Sequence, residues 1–397
     1  METTDRPRAL RFRLAGQSLG RRSPKSELGA VAGAVAVQNT PPGSAGQALH
    51  ARLTGLTPRG LQAEVETGRT LVQLWAMRGA PHLVPVEDAA VYTTGLLPDG
   101  EESCLHFIQG ATDHLARFGL GATDAVEYTC EALPGVLDGR HLSKDELGAA
   151  LAEKVGEHLP RRLRGAWTEP DGLGSNTYGQ SVVRYALYVV SLHGVLCIAS
   201  QPRGNARFAL TEQWLGRRLP SWEAGRARAE LVRRYLRCHG PSTSAEFATW
   251  SGTAPAFAAA SWELVAGELT EVGYRDGSAW VLTEDLPTLR EPPAAQGVRL
   301  LPPHDPLLAT RDRAALVAGD RARRQVWRSQ GSPGVVLADG EVVALWRPSK
   351  KGNTVTIGVE GFGPLDDEVR ETITREAETL APFRGARDAR VTVTSPG

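Results

Sequence analysis

Apolar and polar positions repeat one short order along this chain: helices first, then two strand-like segments around a tight turn. From Arg226 to Cys238, Leu231, Tyr235 and Leu236 fall near one face of a predicted helix. His239-Gly240-Pro241 stops it, because Pro cannot continue a helix and Gly accepts the left-handed cap. Thr243 with Glu246 forms a T-x-x-E capping box opening a short helix. Ser251-Gly252-Thr253 turns the chain into a third predicted helix over 254–269. Val272-Gly273-Tyr274 and Ser278 to Leu282 then flank Arg275-Asp276-Gly277 as a hairpin. This is the order of a winged helix.

The order occurs twice more upstream. Ser143-Lys144-Asp145-Glu146 is a second capping box, and its helix is predicted to run to Gly156. A helix over 175–189 follows. Strands over 196–200 and 207–210 should pair around a wing at 201–205. Nearer the start, Ser26 is the expected N-cap of a helix over 27–38. Helices over 43–53 and 58–66 come next. A hairpin of 71–77 and 82–84 then turns at Arg78-Gly79-Ala80-Pro81.

After Pro292-Pro293 the texture becomes β-rich. Strands are predicted over 298–301, 335–337, 342–346, 354–359 and 390–394, with one helix over 368–380. The expected fold class is α+β: three tandem winged helices and a small C-terminal domain resembling a partial barrel. The expected boundaries are 1–133, carrying a catalytic loop, 134–225, 226–290 and 291–397.

Composition changes this picture little. The 397 residues carry 45 basic and 45 acidic side chains, so no global basic field draws nucleic acid, and local patches must do so. Those patches are Arg6, Arg8, Arg11 and Arg13 with Arg21 and Arg22; Arg161, Arg162 and Arg164; Arg321, Arg323, Arg324 and Arg328; and Arg347, Lys350 and Lys351. Arginine far outnumbers lysine, which with abundant Ala and Gly implies a GC-rich coding sequence of the actinobacterial kind. Cys104, Cys130, Cys197 and Cys238 show no C-x-x-C spacing, so buried reduced thiols and no zinc site are expected. No cofactor motif occurs. The first twenty residues lack a signal-peptide apolar region, and no apolar run reaches eighteen residues, so a cytoplasmic protein is expected.

The candidate chemistry is confined to a few places. His82, His193 and His239 sit at turns or strand ends and are expected to be structural. His304-Asp305, in a loop stiffened by Pro302, Pro303 and Pro306, either contacts a ligand or shapes a turn. Gln38 and Asn39 precede Thr40-Pro41-Pro42-Gly43, which bars helix continuation. Two readings of these carboxamides are open: C-capping of the preceding helix, or chemistry at a stiff loop.

Four separated motifs carry a resemblance. Leu74-Trp75-Ala76-Met77-Arg78-Gly79-Ala80-Pro81-His82-Leu83-Val84 resembles the W-x-x-R-G-T-x-H-L-V signature of the AlkZ-like winged-helix DNA glycosylases. Arg234 to Thr243 with Glu246 to Gly252 resembles that family's Y-L-x-x-Y-G-P-A-T-x-x-D-Φ-x-x-W-x-G. Leu301 to Leu308 resembles L-P-x-F-D-P-x-L, and Val335 to Arg347 resembles V-L-x-D-G-x-V-x-G-x-W-R. Ala80, His239 and His304 depart from the pattern. The resemblance spans about residues 25–383 and implies three winged helices and a C-terminal β-barrel.

It also implies a site. The family's catalytic Gln-Φ-Gln or His-Φ-Gln falls on Ala36-Val37-Gln38, so Gln38 is the expected catalytic residue and Ala36 stands where the first glutamine would be. The following residues resemble the self-resistance branch that removes azinomycin- and hedamycin-type adducts. Asn39, Thr40, Arg78, His82, His304, Asp305, Arg347, Lys350 and Lys351 are the expected DNA contacts. The implied partner is double-stranded DNA carrying an alkylated guanine, bound by a monomer. A cationic N7-alkylguanine leaves readily, so fixed neutral dipoles suffice to place a water and stabilise the sugar cation. Among lysines only Lys25 lies near Gln38 in sequence, which favours a monofunctional enzyme. A non-catalytic regulator or lesion sensor is the alternative that Ala36 supports.

Overall fold

The computed structural model describes residues 2–172, 174–199, 206–328 and 330–394. The chain forms two compact units. One comprises 1–68, 232–246 and 265–397, the other 69–231 and 247–264.

In the first unit the C-terminal strands make one five-stranded sheet. Its order follows the sequence: Val298–Leu301, Gly334–Ala338, Glu341–Lys351, Thr354–Gly361 and Asp388–Thr394. The sheet is open among the described residues, so no closed barrel forms. The reason lies in its last connection. The Asp367–Leu380 helix follows the fourth strand, and the fifth returns parallel to it. That helix buries Ile373, Ala377 and Leu380 against Val298, Leu300, Trp346, Val355, Ile357 and Val359 on one face. The opposite face, Leu301, Val335, Leu337 and Leu345, packs with Leu14, Leu19, Leu307 and Leu308. With both faces covered, closure is unnecessary. Trp346 donates Nε1–H to the Leu301 carbonyl at 2.8 Å, and a Cβ on Gly334 would lie 2.3 Å from that nitrogen. The family-like run from Val335 to Arg347 is therefore a core motif.

The same unit contains a helix the sequence pattern missed, Arg6–Gly16. Arg13, only 3% exposed, donates to the carbonyls of His239, Gly240 and Pro241 and pairs with Asp312 at 3.0 Å. Gln17 donates to the Cys238 carbonyl at 2.8 Å. These two side chains bind the backbone that the H-G-P turn leaves without helical partners. The third hairpin, Leu269–Tyr274 with Gly277–Leu282, forms as expected around Arg275 and Asp276, both at positive φ. The preceding helix ends at Glu263, earlier than expected, because strand pairing claims residues from Leu269.

The second unit holds the hairpins Leu71–Trp75 with Pro81–Pro85 and Leu196–Ala199 with Arg207–Leu210. The expected wing at 201–205 lies outside the described residues. Ser143 and Thr177 each close a capping box, with Glu146 and Gln180, onto the helices Lys144–Gly156 and Tyr178–Leu192. Two motifs interlock here. Arg78 and Gly79 both take positive φ, and Arg78 donates to the Trp250 carbonyl. A Cβ on Gly252 would come within 3.1 Å of Arg78 backbone, and one on Gly79 within 3.1 Å of the Tyr188 ring. The R-G and W-x-G signatures are two halves of one contact.

All four cysteines are unbridged. Burial pushes the Cys104, Cys197 and Cys238 thiols up to about 12. Among the described residues no helix is long and apolar enough to cross a membrane, and no group of three His, Cys, Asp or Glu could hold a metal ion.

Candidate active site

The site is built around a sharp reversal. The helix Leu28–Val35 is shorter than the predicted 27–38, because Ala36 adopts φ +44° and ends it. Val37 and Gln38 are extended, and the next helix is Ser44–Arg52. Ala36 and Val37 are buried, which anchors the apolar residue of the motif in the core. Gln38, Asn39 and Thr40 are half-buried, and Pro41 to Gly43 form an exposed tip.

Asn39 reaches forward to the helix that follows. Its side-chain oxygen accepts from Gly43 N–H at 2.8 Å and Ala45 N–H at 3.2 Å. It therefore caps the helix that follows, satisfying donors that a helix start leaves open. Ser44 Oγ donates to the carbonyls of Pro41 at 2.8 Å and Gln38 at 3.3 Å. The Gln47 amide donates to the Gly43 carbonyl at 3.2 Å. The Gln38–Gly43 loop is thus tied at both ends to one helix.

The far end of that helix is locked by a buried ion pair. Arg52 bonds Asp305 through both nitrogens, at 2.7 and 2.8 Å, and both side chains are fully buried. Arg52 also donates to the Ala48 carbonyl and to Gln17. Asp305 further accepts from Leu307 N–H at 3.0 Å. This places Asp305 inside the scaffold, paired with Arg52. Its neighbour His304 is exposed and takes φ +59°. Such a backbone is uncommon for a residue with a side chain and concentrates at functional sites.

His82 is likewise inside. It is 1% exposed, and Nδ1 lies 2.9 Å from the Ala80 carbonyl. Burial, aided by the Arg78 charge, pulls its pKa down to about 3, so it is neutral and inside. Arg78 presents an exposed residue whose guanidinium engages the Trp250 carbonyl. Arg78 and His82 belong to the second unit, whereas Gln38, Asn39, Thr40, His304 and Asp305 belong to the first.

Arg347, Lys350 and Lys351 are all exposed on the strand Glu341–Lys351 and its turn into Thr354–Gly361. Among the described residues, Arg347 pairs loosely with Glu360 at 3.8 Å, with both side chains more than 40% exposed. Arg52 and Gln47 hold the helix behind the Gln38 loop yet gave no signal in sequence. Each is a polar residue within an ordinary helix whose distant partner, Asp305 or Arg384, local spacing does not reveal.

The chain is similar to known proteins. The sequence model of the family described as AlkZ-like DNA glycosylase matches residues 31–383. An interstrand DNA cross-link repair glycosylase of Streptomyces sahachiroi is 29% identical over 287 residues, 70% of each chain. The solved structure of Streptomyces sahachiroi DNA glycosylase AlkZ superposes with a TM-score of 0.74 at 23% identity, covering 99% of this chain and all of that one.

Proposed function

Because this chain belongs to the AlkZ-like DNA glycosylase family, we propose that it removes bulky N7-alkylguanine adducts from double-stranded DNA by simple hydrolysis. It is a DNA glycosylase. The observation carrying the finer reading is the fixed presentation of Gln38, half-buried beside an exposed tip on a helix pinned at both ends. A held carboxamide orients a water and stabilises the developing sugar cation without a reorganisation cost. The leaving group is already cationic, so no acid is required. Ala36 supplies no second carboxamide, and the chemistry is correspondingly weakened.

The cross-link repair named for the Streptomyces relative supports a substrate class of large, self-resistance-type adducts. Three winged-helix segments, within 1–133, 134–225 and 226–290, and the basic β-hairpin at Arg347 to Lys351 hold the duplex, and the enzyme acts as a monomer. Asn39 shapes the loop, while Thr40, His304, Lys350 and Lys351 touch DNA. The test is incubation with DNA bearing an N7-alkylguanine. Free base and alkali-labile abasic sites, without direct strand cleavage, are expected. Tight binding with no base release would instead favour a lesion sensor.

A further inference from the structure

Arg384 lies in the turn Ala381–Arg384 that ends the Asp367–Leu380 helix. The preceding residue seats this turn on the Ser44–Arg52 helix. The Phe383 ring packs on His50 with centroids 5.1 Å apart, and a Cβ on Gly46 would lie 3.1 Å from it. Arg384 reaches the same helix nearer its start. Its Nη1 donates to Gln47 Oε1 at 3.5 Å, and Gln47 Nε2 donates to the Gly43 carbonyl. Gly43 ends the loop that begins at Gln38. Two hydrogen bonds therefore separate Arg384 from that loop.

Its charge is not balanced. Arg384 is half-buried, and among the described residues it has no carboxylate partner. A second cation stands beside it. Gly385, at φ +65°, brings its backbone under Lys350, so that a Cβ there would lie 3.3 Å from Nζ. The Lys350 ammonium thus lies over the backbone one position beyond Arg384, and burial penalises the uncompensated guanidinium. An anion bound at Arg384 would offset that cost, and the exposed Lys350 ammonium supplies a second positive charge next to the same turn. The guanidinium fork matches a phosphate, and the Gln47 contact occupies only part of it.

We propose that Arg384 and Lys350 together bind one phosphodiester of the lesion-bearing strand, and that Arg384 thereby sets the register of that strand against the Gln38 loop. This rests on the glycosylase reading for its ligand. Arg384 is a positioning residue: it touches backbone phosphate and acts on Gln38 through Gln47 and Gly43.

The test scans neutral methylphosphonate linkages through the lesion strand and measures equilibrium binding. Wild-type protein should lose affinity on the order of tenfold at one linkage. In Arg384→Gln that linkage should become neutral, and the salt slope should be shallower by about 0.9. Lys350→Ala should be non-additive with the same linkage. Arg384→Lys, which keeps the charge without the fork, should retain the salt slope but lower the single-turnover rate at saturating enzyme. A scan identical in wild type and Arg384→Gln, or an unchanged salt slope, overturns the proposal. A merely structural Arg384 would weaken binding at every linkage alike. The binding scan needs no base release, so failure of the wild type to excise would overturn the glycosylase reading without touching this result.

Discussion

Arg52 and Asp305 face each other as a two-pronged ion pair at 2.7 and 2.8 Å, with no exposed side-chain surface on either. The pair joins the end of the Ser44–Arg52 helix to the Leu301–Leu308 motif. Removing one partner leaves a buried unpaired charge, which typically costs about 3–5 kcal/mol. Asp305→Asn and Arg52→Met should each lower urea-denaturation stability by an amount of that order, and excision should fall with the folded fraction. Weaker DNA binding at unchanged stability would return Asp305 to the DNA interface.

Two buried histidines make stability depend on pH. His82 is held near 3 by burial and then by Arg78, and His50 near 4 by burial and then by Arg22. An unfolded chain protonates both near 6.5, so below that pH the unfolded state binds protons that the native state refuses. Their stabilisation is complete above that pH and is lost as pH falls. Between pH 6.5 and 5 the loss is roughly 1.5 kcal/mol for each histidine. Denaturation curves at pH 7.5 and 5 should show it, and His82→Gln should remove about half. A stability independent of pH across this window would contradict the buried neutral assignments.

The exposed hairpin cations make a separate prediction. Alanine at Arg347, Lys350 and Lys351 should weaken DNA binding and flatten its salt dependence by about 0.9 in slope for each phosphate that is no longer neutralised. Stability should change little, since all three are exposed. An unchanged slope removes the hairpin from the interface.

Much of this architecture is local and therefore legible in sequence. The capping box at Ser143, the N-cap bond at Thr243, the Arg275-Asp276 turn and the Arg78-Gly79 turn depend on neighbours a few positions apart. The helix Arg6–Gly16 was hidden because Arg13 has partners 226 to 299 positions away. Read locally, it is one more surface arginine. Barrel and open sheet share the same strand signals, and only the packing of the Asp367–Leu380 helix separates them. At the site, the Pro41-Pro42 stop was legible, but the bonds from Asn39 to the start of the next helix were not, because they depend on how the loop folds back.

The manner of access to the lesion is testable on its own. The Gln38–Gly43 loop contains no aromatic residue to stack on an extruded base. Gln38 should therefore approach the sugar while the adduct stays in the duplex, unlike the active groups of base-flipping enzymes. A 2-aminopurine beside the lesion should stay quenched on binding, and methyl and bulky adducts should both be released. A large fluorescence rise with rejection of bulky adducts would contradict this.

The central claim is that the Gln38 loop carries the chemistry. The most direct measurement is single-turnover release of an N7-alkylguanine by the wild type, Gln38→Ala and Ala36→Gln, each shown to be folded and to bind the same DNA. Loss of one group stabilising the transition state commonly costs about 2.7–4 kcal/mol. Gln38→Ala should slow release on the order of a hundredfold or more, and Ala36→Gln should raise it by a comparable factor. Equal release by wild type and Gln38→Ala would contradict the claim.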